Sequence, residues 1–249
     1  MSTGYLIFEE TVALITGSGT ALGRATALAF AKRGVSVVVA DVSEHGAETV
    51  EMINSYGGQG LFIETDVSVA ENVERLIATV VDTYGGLHHA FNNAANVLPM
   101  LPLSKADEFI HGRVMTAAVR GATLCLQQQL HYMAKAGGGN IVNAASLPQE
   151  FAEADMTPYL AARQAVISMT KAAATENARF GIRVNALARG RVDPGKLHRG
   201  SADQQIRQMV LGGPLIDHPR HSNELAATVI YLCSPISSFA NGQVFTISH

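Results

Sequence analysis

The sequence predicts an α/β protein: a doubly wound, seven-stranded parallel sheet with helices on both faces, of the Rossmann kind. Two observations predict it. Short β-branched runs alternate with longer helical patterns along all 249 residues, and those runs are apolar throughout instead of alternating with polar residues. Continuous apolar strands are buried on both faces, which means a parallel sheet covered by helices. A third observation, the glycine-rich turn after the first run, says where such a sheet binds.

The elements follow in order. Strands are predicted over Val12–Thr16, Val35–Ala40, Leu61–Glu64, Ala90–Asn92, Asn140–Ala144, Arg183–Leu187 and Val244–Ile247. Helices are predicted over Thr20–Lys32, Glu44–Tyr56, Val69–Tyr84, Ala106–Lys135, Pro158–Phe180 and Glu224–Cys233. Gly34 stands just past the first helix, where a C-terminal cap favours a residue without Cβ. Gly137-Gly138-Gly139 reads as a turn, because strand and helix signals continue on either side. The long stretch 189–222 carries prolines and glycines and no periodicity; irregular segments of that length in compact domains are commonly functional lids. One domain over 1–249 is expected, with that lid-like segment.

Composition narrows the class. Eighteen Lys+Arg against 21 Asp+Glu give a net charge of −3, without the basic excess of a nucleic-acid-binding protein. Only 16% of residues are charged and 47% are hydrophobic, against about 25% charged in an average soluble domain. That balance excludes disorder and suggests that another subunit covers part of the surface. Cys125 and Cys233 lie too far apart in sequence to be a disulfide framework, which fits a reducing, cytoplasmic setting. No signal segment and no apolar run of about 20 residues is seen, so no membrane association is expected.

The first strand ends in Thr16-Gly17-Ser18-Gly19-Thr20-Ala21-Leu22-Gly23 and runs straight into a helix. Such a turn lets backbone N–H groups and a helix N-terminus face a pyrophosphate. An acid closing the second strand binds the adenine ribose hydroxyls, and Asp41 comes 18 residues after Gly23. Gly17, Gly19, Ala21, Gly23 and Asp41 are therefore expected at a dinucleotide. NAD is expected over NADP, since a carboxylate at position 41 repels a 2′-phosphate.

These features in this order resemble the classical short-chain dehydrogenase/reductase family over nearly the whole chain. Its cofactor-turn pattern falls on Thr16 to Gly23, its adenine-contacting Asp-Val on Asp66-Val67, and its Asn-Asn-Ala-Gly signature on Asn92-Asn93-Ala94-Ala95. The strand-five segment leads to Ser146, a helix tyrosine follows 13 residues later at Tyr159, and Gly181 to Ala186 matches the strand-six segment. The resemblance implies a tetrad: a tyrosine acid/base, a serine that orients the substrate oxygen, a lysine that binds the nicotinamide ribose, and an asparagine that holds a relay water. It also implies cofactor contacts at Asp66, Val67 and Asn93.

The chain departs from that pattern. The lysine position, four residues after Tyr159 on one helix face, holds Arg163, and the relay position holds Ala118. The middle glycine of the turn is Ala21, the strand-four glycine is Ala95, the Pro-Gly after strand six is Arg189-Gly190, and the chain stops at Ser248-His249. A methyl at Ala21 is expected to crowd the phosphate site and to strain any positive φ. A guanidinium keeps its proton and differs in shape from an ammonium. Losing one positioned proton transfer typically costs about 10²–10⁴-fold.

Two functions follow as expectations. In the first, the chain is a non-catalytic structural or regulatory subunit beside an intact paralogous dehydrogenase in a dimer or tetramer, with a hydroxyacyl-CoA as substrate of the complex. In the second, the chain is itself an NAD(H)-dependent alcohol/ketone oxidoreductase using Tyr159, Ser146 and Arg163. Small residues on two helices (Ala117, Ala118, Gly121 and Ala122; Ala161, Ala162, Ala165 and Ala172 to Ala174) are expected at the subunit interface that the resemblance implies. Six cations against three acids in 189–222 suit steering of an anionic substrate. No metal site is expected: His88-His89 point to opposite faces of a strand, and His218 with His221 lacks partner ligands.

Overall fold

The computed structural model describes residues 8–94, 103–105, 108–146, 157–189 and 219–247. Seven strands form one all-parallel sheet: β1 (Val12–Thr16), β2 (Ser36–Asp41), β3 (Gly60–Glu64), β4 (His89–Asn92), β5 (Gly139–Ser146), β6 (Ile182–Arg189) and β7 (Val244–Ile247). Their spatial order is β3-β2-β1-β4-β5-β6-β7, so the direction of winding reverses between β1 and β4. In open parallel sheets, ligands bind outside the carboxyl ends of the strands at that reversal.

Each strand splits its side chains between two cores. Ala13, Ile15, Val37 and Val39 face one layer and pack with Phe30, Ile53, Leu225, Val229 and Leu232. Val12, Leu14, Val38 and Ala40 face the other and pack with Leu76, Val80, Leu126, Met133 and Ile141. The first layer holds helices α1 (Ala21–Ala31), α2 (His45–Ser55) and α7 (Pro219–Cys233); the second holds α3 (Ala70–Tyr84), α5 (Gly121–Ala136) and α6 (Thr157–Asn177). Period-two alternation places successive residues on opposite faces, and here both faces are apolar. The expected fold is present, with β1 and β7 starting and ending at the predicted residues.

Four expectations are revised. The predicted helix Ala106–Lys135 is three pieces: α4 (Glu108–Met115), a π-helical turn over Thr116–Arg120, and α5. Wide turns of this kind arise where a helix must reposition side chains, frequently at functional sites. β5 and β6 run further than predicted because Ala144–Ser146 stay paired with Leu187–Arg189. The predicted lid is shorter at both ends: Arg189 closes β6 and Pro219–Ser222 begin α7, while 190–218 lie outside the described residues. Finally, five of the small residues expected at a subunit interface work inside the chain: Ala118 and Ala162 form a buried cluster with Val114, Gly121 packs on Val67, and Ala173 and Ala174 belong to the second core.

No helix among the described residues is long and apolar enough to cross a membrane. No group of metal-ligating side chains occurs among them either. His89 is buried between Phe8 and Phe30, with ring centres 5.2 and 5.7 Å away. Its Nδ1 lies 3.3 Å from the Asn140 amide, and burial holds its pKa down to about 3. The neighbouring His88 accepts the Val12 N–H through Nδ1. His218 lies outside the described residues.

Candidate active site

The turn after β1 is shaped by two close approaches. Gly17 has φ +66°, and a Cβ on it would lie 2.8 Å from the Ala94 backbone; a Cβ on Gly23 would overlap the Gly17 carbonyl oxygen. Only glycine satisfies both positions. Thr20 caps α1: its hydroxyl accepts the Gly23 N–H at 3.2 Å and donates to the Gly17 carbonyl at 2.8 Å. A hydroxyl at the N-cap satisfies one of the first-turn N–H groups that have no intrahelical partner. The amides of Ala21 and Leu22 remain at the positive end of the helix.

Ala21 does not behave as the sequence suggests. It is the first residue of α1, its side chain is exposed, and Glu10 alone among described non-glycine residues has positive φ. The helical backbone there suits alanine well, so neither the expected strain nor an overlap with the protein arises.

Asp41 closes β2 beside this turn. One carboxylate oxygen accepts the Gly19 N–H at 2.8 Å; the other accepts the Ser43 N–H and hydroxyl, both at 3.0 Å. A carboxylate has about four acceptor positions, so three are used within the protein and one remains for a ribose hydroxyl. At the end of β3, exposed Asp66 accepts the Ser68 N–H and hydroxyl at 2.9 and 2.7 Å. Val67 reaches Gly121, where an added Cβ would sit 2.9 Å from its methyl.

The side-chain amide of Asn93, the expected cofactor contact, donates to the Gly17 carbonyl at 2.9 Å and to the Thr20 hydroxyl at 3.0 Å, which uses both amide protons on the turn itself. Thr16 adds a second brace, accepting the N–H groups of Asn93 and Ala94 at 3.1 Å. The ends of β1 and β4 are thus locked together at the winding reversal.

The tetrad positions gather at the same edge. Ser146 is the last residue of β5 and pairs with Arg189. Tyr159 stands in the first turn of α6, half-buried, and Arg163 lies one turn on, 5% exposed. The guanidinium carbon of Arg163 is 5.3 Å from the Tyr159 ring centre, a cation–π distance. Its Nη1 donates to the Ala144 carbonyl at 2.9 Å, two residues before Ser146. Ala118, in the π-helical turn, lines one small cavity with Arg163, Thr16, Asn92 and Cys125. Burial raises the Cys125 thiol to about 12, so it is no nucleophile.

Beneath the site lies a polar network that the sequence reading missed. Asn92 and Gln129 exchange two hydrogen bonds at 2.9 and 2.8 Å, Asn92 also donates to Asn143 at 2.9 Å, and Asn143 donates to Thr170 at 2.9 Å. It ties β4, β5, α5 and α6 together through buried side chains. Its sequence signal is weak: Gln129 ends a run of three glutamines, Asn92 precedes Asn93, and Asn143 lies within an otherwise apolar stretch.

Fold and site together define a doubly wound α/β protein with a dinucleotide cradle and a tyrosine–cation pair at one sheet edge. A family profile described as enoyl-(acyl carrier protein) reductase matches residues 17–249. The chain is 32% identical over 240 residues to the cis-4-hydroxycyclohexanecarboxylate dehydrogenase of Sinomonas cyclohexanicum, covering 96% of each. It is 32% identical over 235 residues to the 2,5-dichloro-2,5-cyclohexadiene-1,4-diol dehydrogenase of Sphingobium indicum, covering 92% of each. A short chain dehydrogenase from Mycobacterium smegmatis superposes with a TM-score of 0.82 at 27% identity, over 99% of this chain and 95% of the other. The chain belongs to the short-chain dehydrogenase/reductase family.

Proposed function

We propose that this chain is itself an NAD(H)-dependent oxidoreductase that interconverts a secondary alcohol on a six-membered carbocycle and the corresponding ketone. The observation that carries this reading is the pair Tyr159–Arg163, with a buried cation stacked on the phenol ring. Two relatives named as dehydrogenases of ring alcohols support the substrate class. Those names favour the second expectation over the inert subunit, and ring alcohols over a hydroxyacyl-CoA.

The residues of the cradle fit a dinucleotide. The N–H groups of Ala21 and Leu22 would take the pyrophosphate, Asp41 the adenine ribose, and Asp66-Val67 the adenine. When bound, a nicotinamide would supply the hydride acceptor for the carbinol carbon. The chain's part is the proton: Tyr159 takes it from the substrate hydroxyl in oxidation and returns it in reduction. Ser146 donates to the substrate oxygen. Arg163 fixes Tyr159 by lying over the ring, since a cation is attracted to the ring face. It need not shuttle a proton to do this, so its permanent charge is compatible with the task.

The test is turnover by the purified chain alone, with NAD⁺ and a panel of cyclohexanol-type alcohols and diols. NADH formation is expected, and Tyr159→Phe is expected to reduce it by about 10²-fold or more. Absence of turnover across the panel, in both directions, returns the chain to the non-catalytic reading. The remaining outward small residues of α6, Ala161 and Ala172, belong to a proposed contact with a further subunit, which sedimentation of the chain alone and with a paralogue would test.

A further inference from the structure

Ala118 and Arg163 stand 45 residues apart on different helical segments, yet they line one cavity. Both are buried, at 3% and 5% exposure. Arg163 enters this space with a planar head larger than an ammonium, reaching the Ala144 carbonyl through Nη1 and the Tyr159 ring through its face. Its Nε is buried without a hydrogen-bond partner among the described residues, so the head is held in place by packing and by that one carbonyl. The π-helical turn carries residue 118 against α6, where Ala118 touches Ala162, next to Arg163 in the chain. A side chain longer than alanine at 118 would extend into the cavity that Arg163 also lines.

We infer that Ala118 and Arg163 are one compensated exchange, in which the small residue at 118 makes the space that seats the guanidinium over Tyr159. Ala118 is therefore a positioning residue that acts through Arg163. The two departures from the family pattern are a single change with a structural logic, not two separate losses. The catalytic half of this inference rests on the oxidoreductase reading above; the packing half does not.

The experiment is a double-mutant cycle of Ala118→Leu and Arg163→Ala, read first by thermal unfolding of the chain without cofactor. Overfilling the cavity should lower Tm by about 3–10 °C in Ala118→Leu. Combined with Arg163→Ala, the leucine should fill the space vacated by the guanidinium, so the double variant should lie roughly 2 °C or more above the additive expectation. The second readout is the pH profile of kcat on a ring alcohol. Ala118→Leu should lower kcat about tenfold and move its alkaline rise to higher pH, with KM nearly unchanged.

Additive Tm shifts would overturn the exchange. An unmoved kcat profile in Ala118→Leu would overturn the positioning role. If the wild type turns over no ring alcohol, the oxidoreductase reading fails, and the unfolding cycle still decides whether the two residues are paired.

Discussion

The side-chain amide of Asn93 donates to the Gly17 carbonyl at 2.9 Å, across 76 residues of chain. With its second bond to Thr20, it fixes the glycine turn to the end of β4, so the shape of the dinucleotide cradle depends on a residue outside the turn. Asn93→Ala should destabilise the protein by about 1–3 kcal/mol, because the Gly17 carbonyl loses a buried partner. NAD binding, measured by titration calorimetry, should weaken as well. Unchanged stability with weakened binding would instead mark Asn93 as a direct cofactor contact.

Asp41 sets the sign of the charge at the adenine end of the cradle. Replacing it with serine removes the carboxylate that would face a 2′-phosphate and frees the Gly19 N–H. Asp41→Ser should therefore lower the preference for NAD over NADP in parallel binding titrations, by about tenfold or more for an electrostatic difference near 1.4 kcal/mol. A preference that stays constant would exclude Asp41 as the discriminating group.

The buried amide network predicts a large cost for a modest change. Gln129→Leu leaves the Asn92 amide short of two partners in a place that water does not reach. The expected loss is about 2–4 kcal/mol in urea unfolding. Adding Asn92→Leu should recover part of it, because the unpaired Asn92 amide is removed, but not all, because the Asn143 carbonyl oxygen then loses its donor.

His89 gives the stability a defined pH dependence. Its folded-state pKa is about 3, depressed by burial first and by the neighbouring His88 and Arg183 second, against an ordinary value of 6.5. The unfolded chain thus binds a proton that the folded chain refuses as pH falls below 6.5. The contribution of His89 is fully present above that pH and is lost progressively down to about 3. At pH 5 the loss is about 2 kcal/mol. His89→Leu should flatten this part of the stability curve between pH 7 and 5, and an unchanged slope would assign the acid sensitivity to other groups.

Several features were legible in the chain because they are local. Apolar runs buried on both faces announce a parallel sheet wherever they occur, and Gly17 and Gly23 are needed at their spacing whatever the surroundings. The π-helical turn at Thr116–Arg120 has no such signature, since the residues in it are ordinary helix formers and its setting is tertiary, with α6 packed against it. At Ala21 the helical backbone removes the expected strain, for a related reason. A motif fixes its place in the string, but whether its Cβ meets phosphate, backbone or solvent depends on where α1 begins.

The tetrad positions came from the family resemblance; the sequence by itself determined the parallel α/β fold and the place of the glycine turn. Those follow from hydrophobic period, turn chemistry and the acid after the second strand, each set within a few residues. The tertiary structure alone decided what the departures mean. It brings Ala118 and Arg163 into one cavity, lays the guanidinium over Tyr159, and turns Asn93 into a brace for Gly17. Compensation between residues distant in sequence is a matter of shared volume and shared hydrogen bonds, and neither exists until the chain has folded.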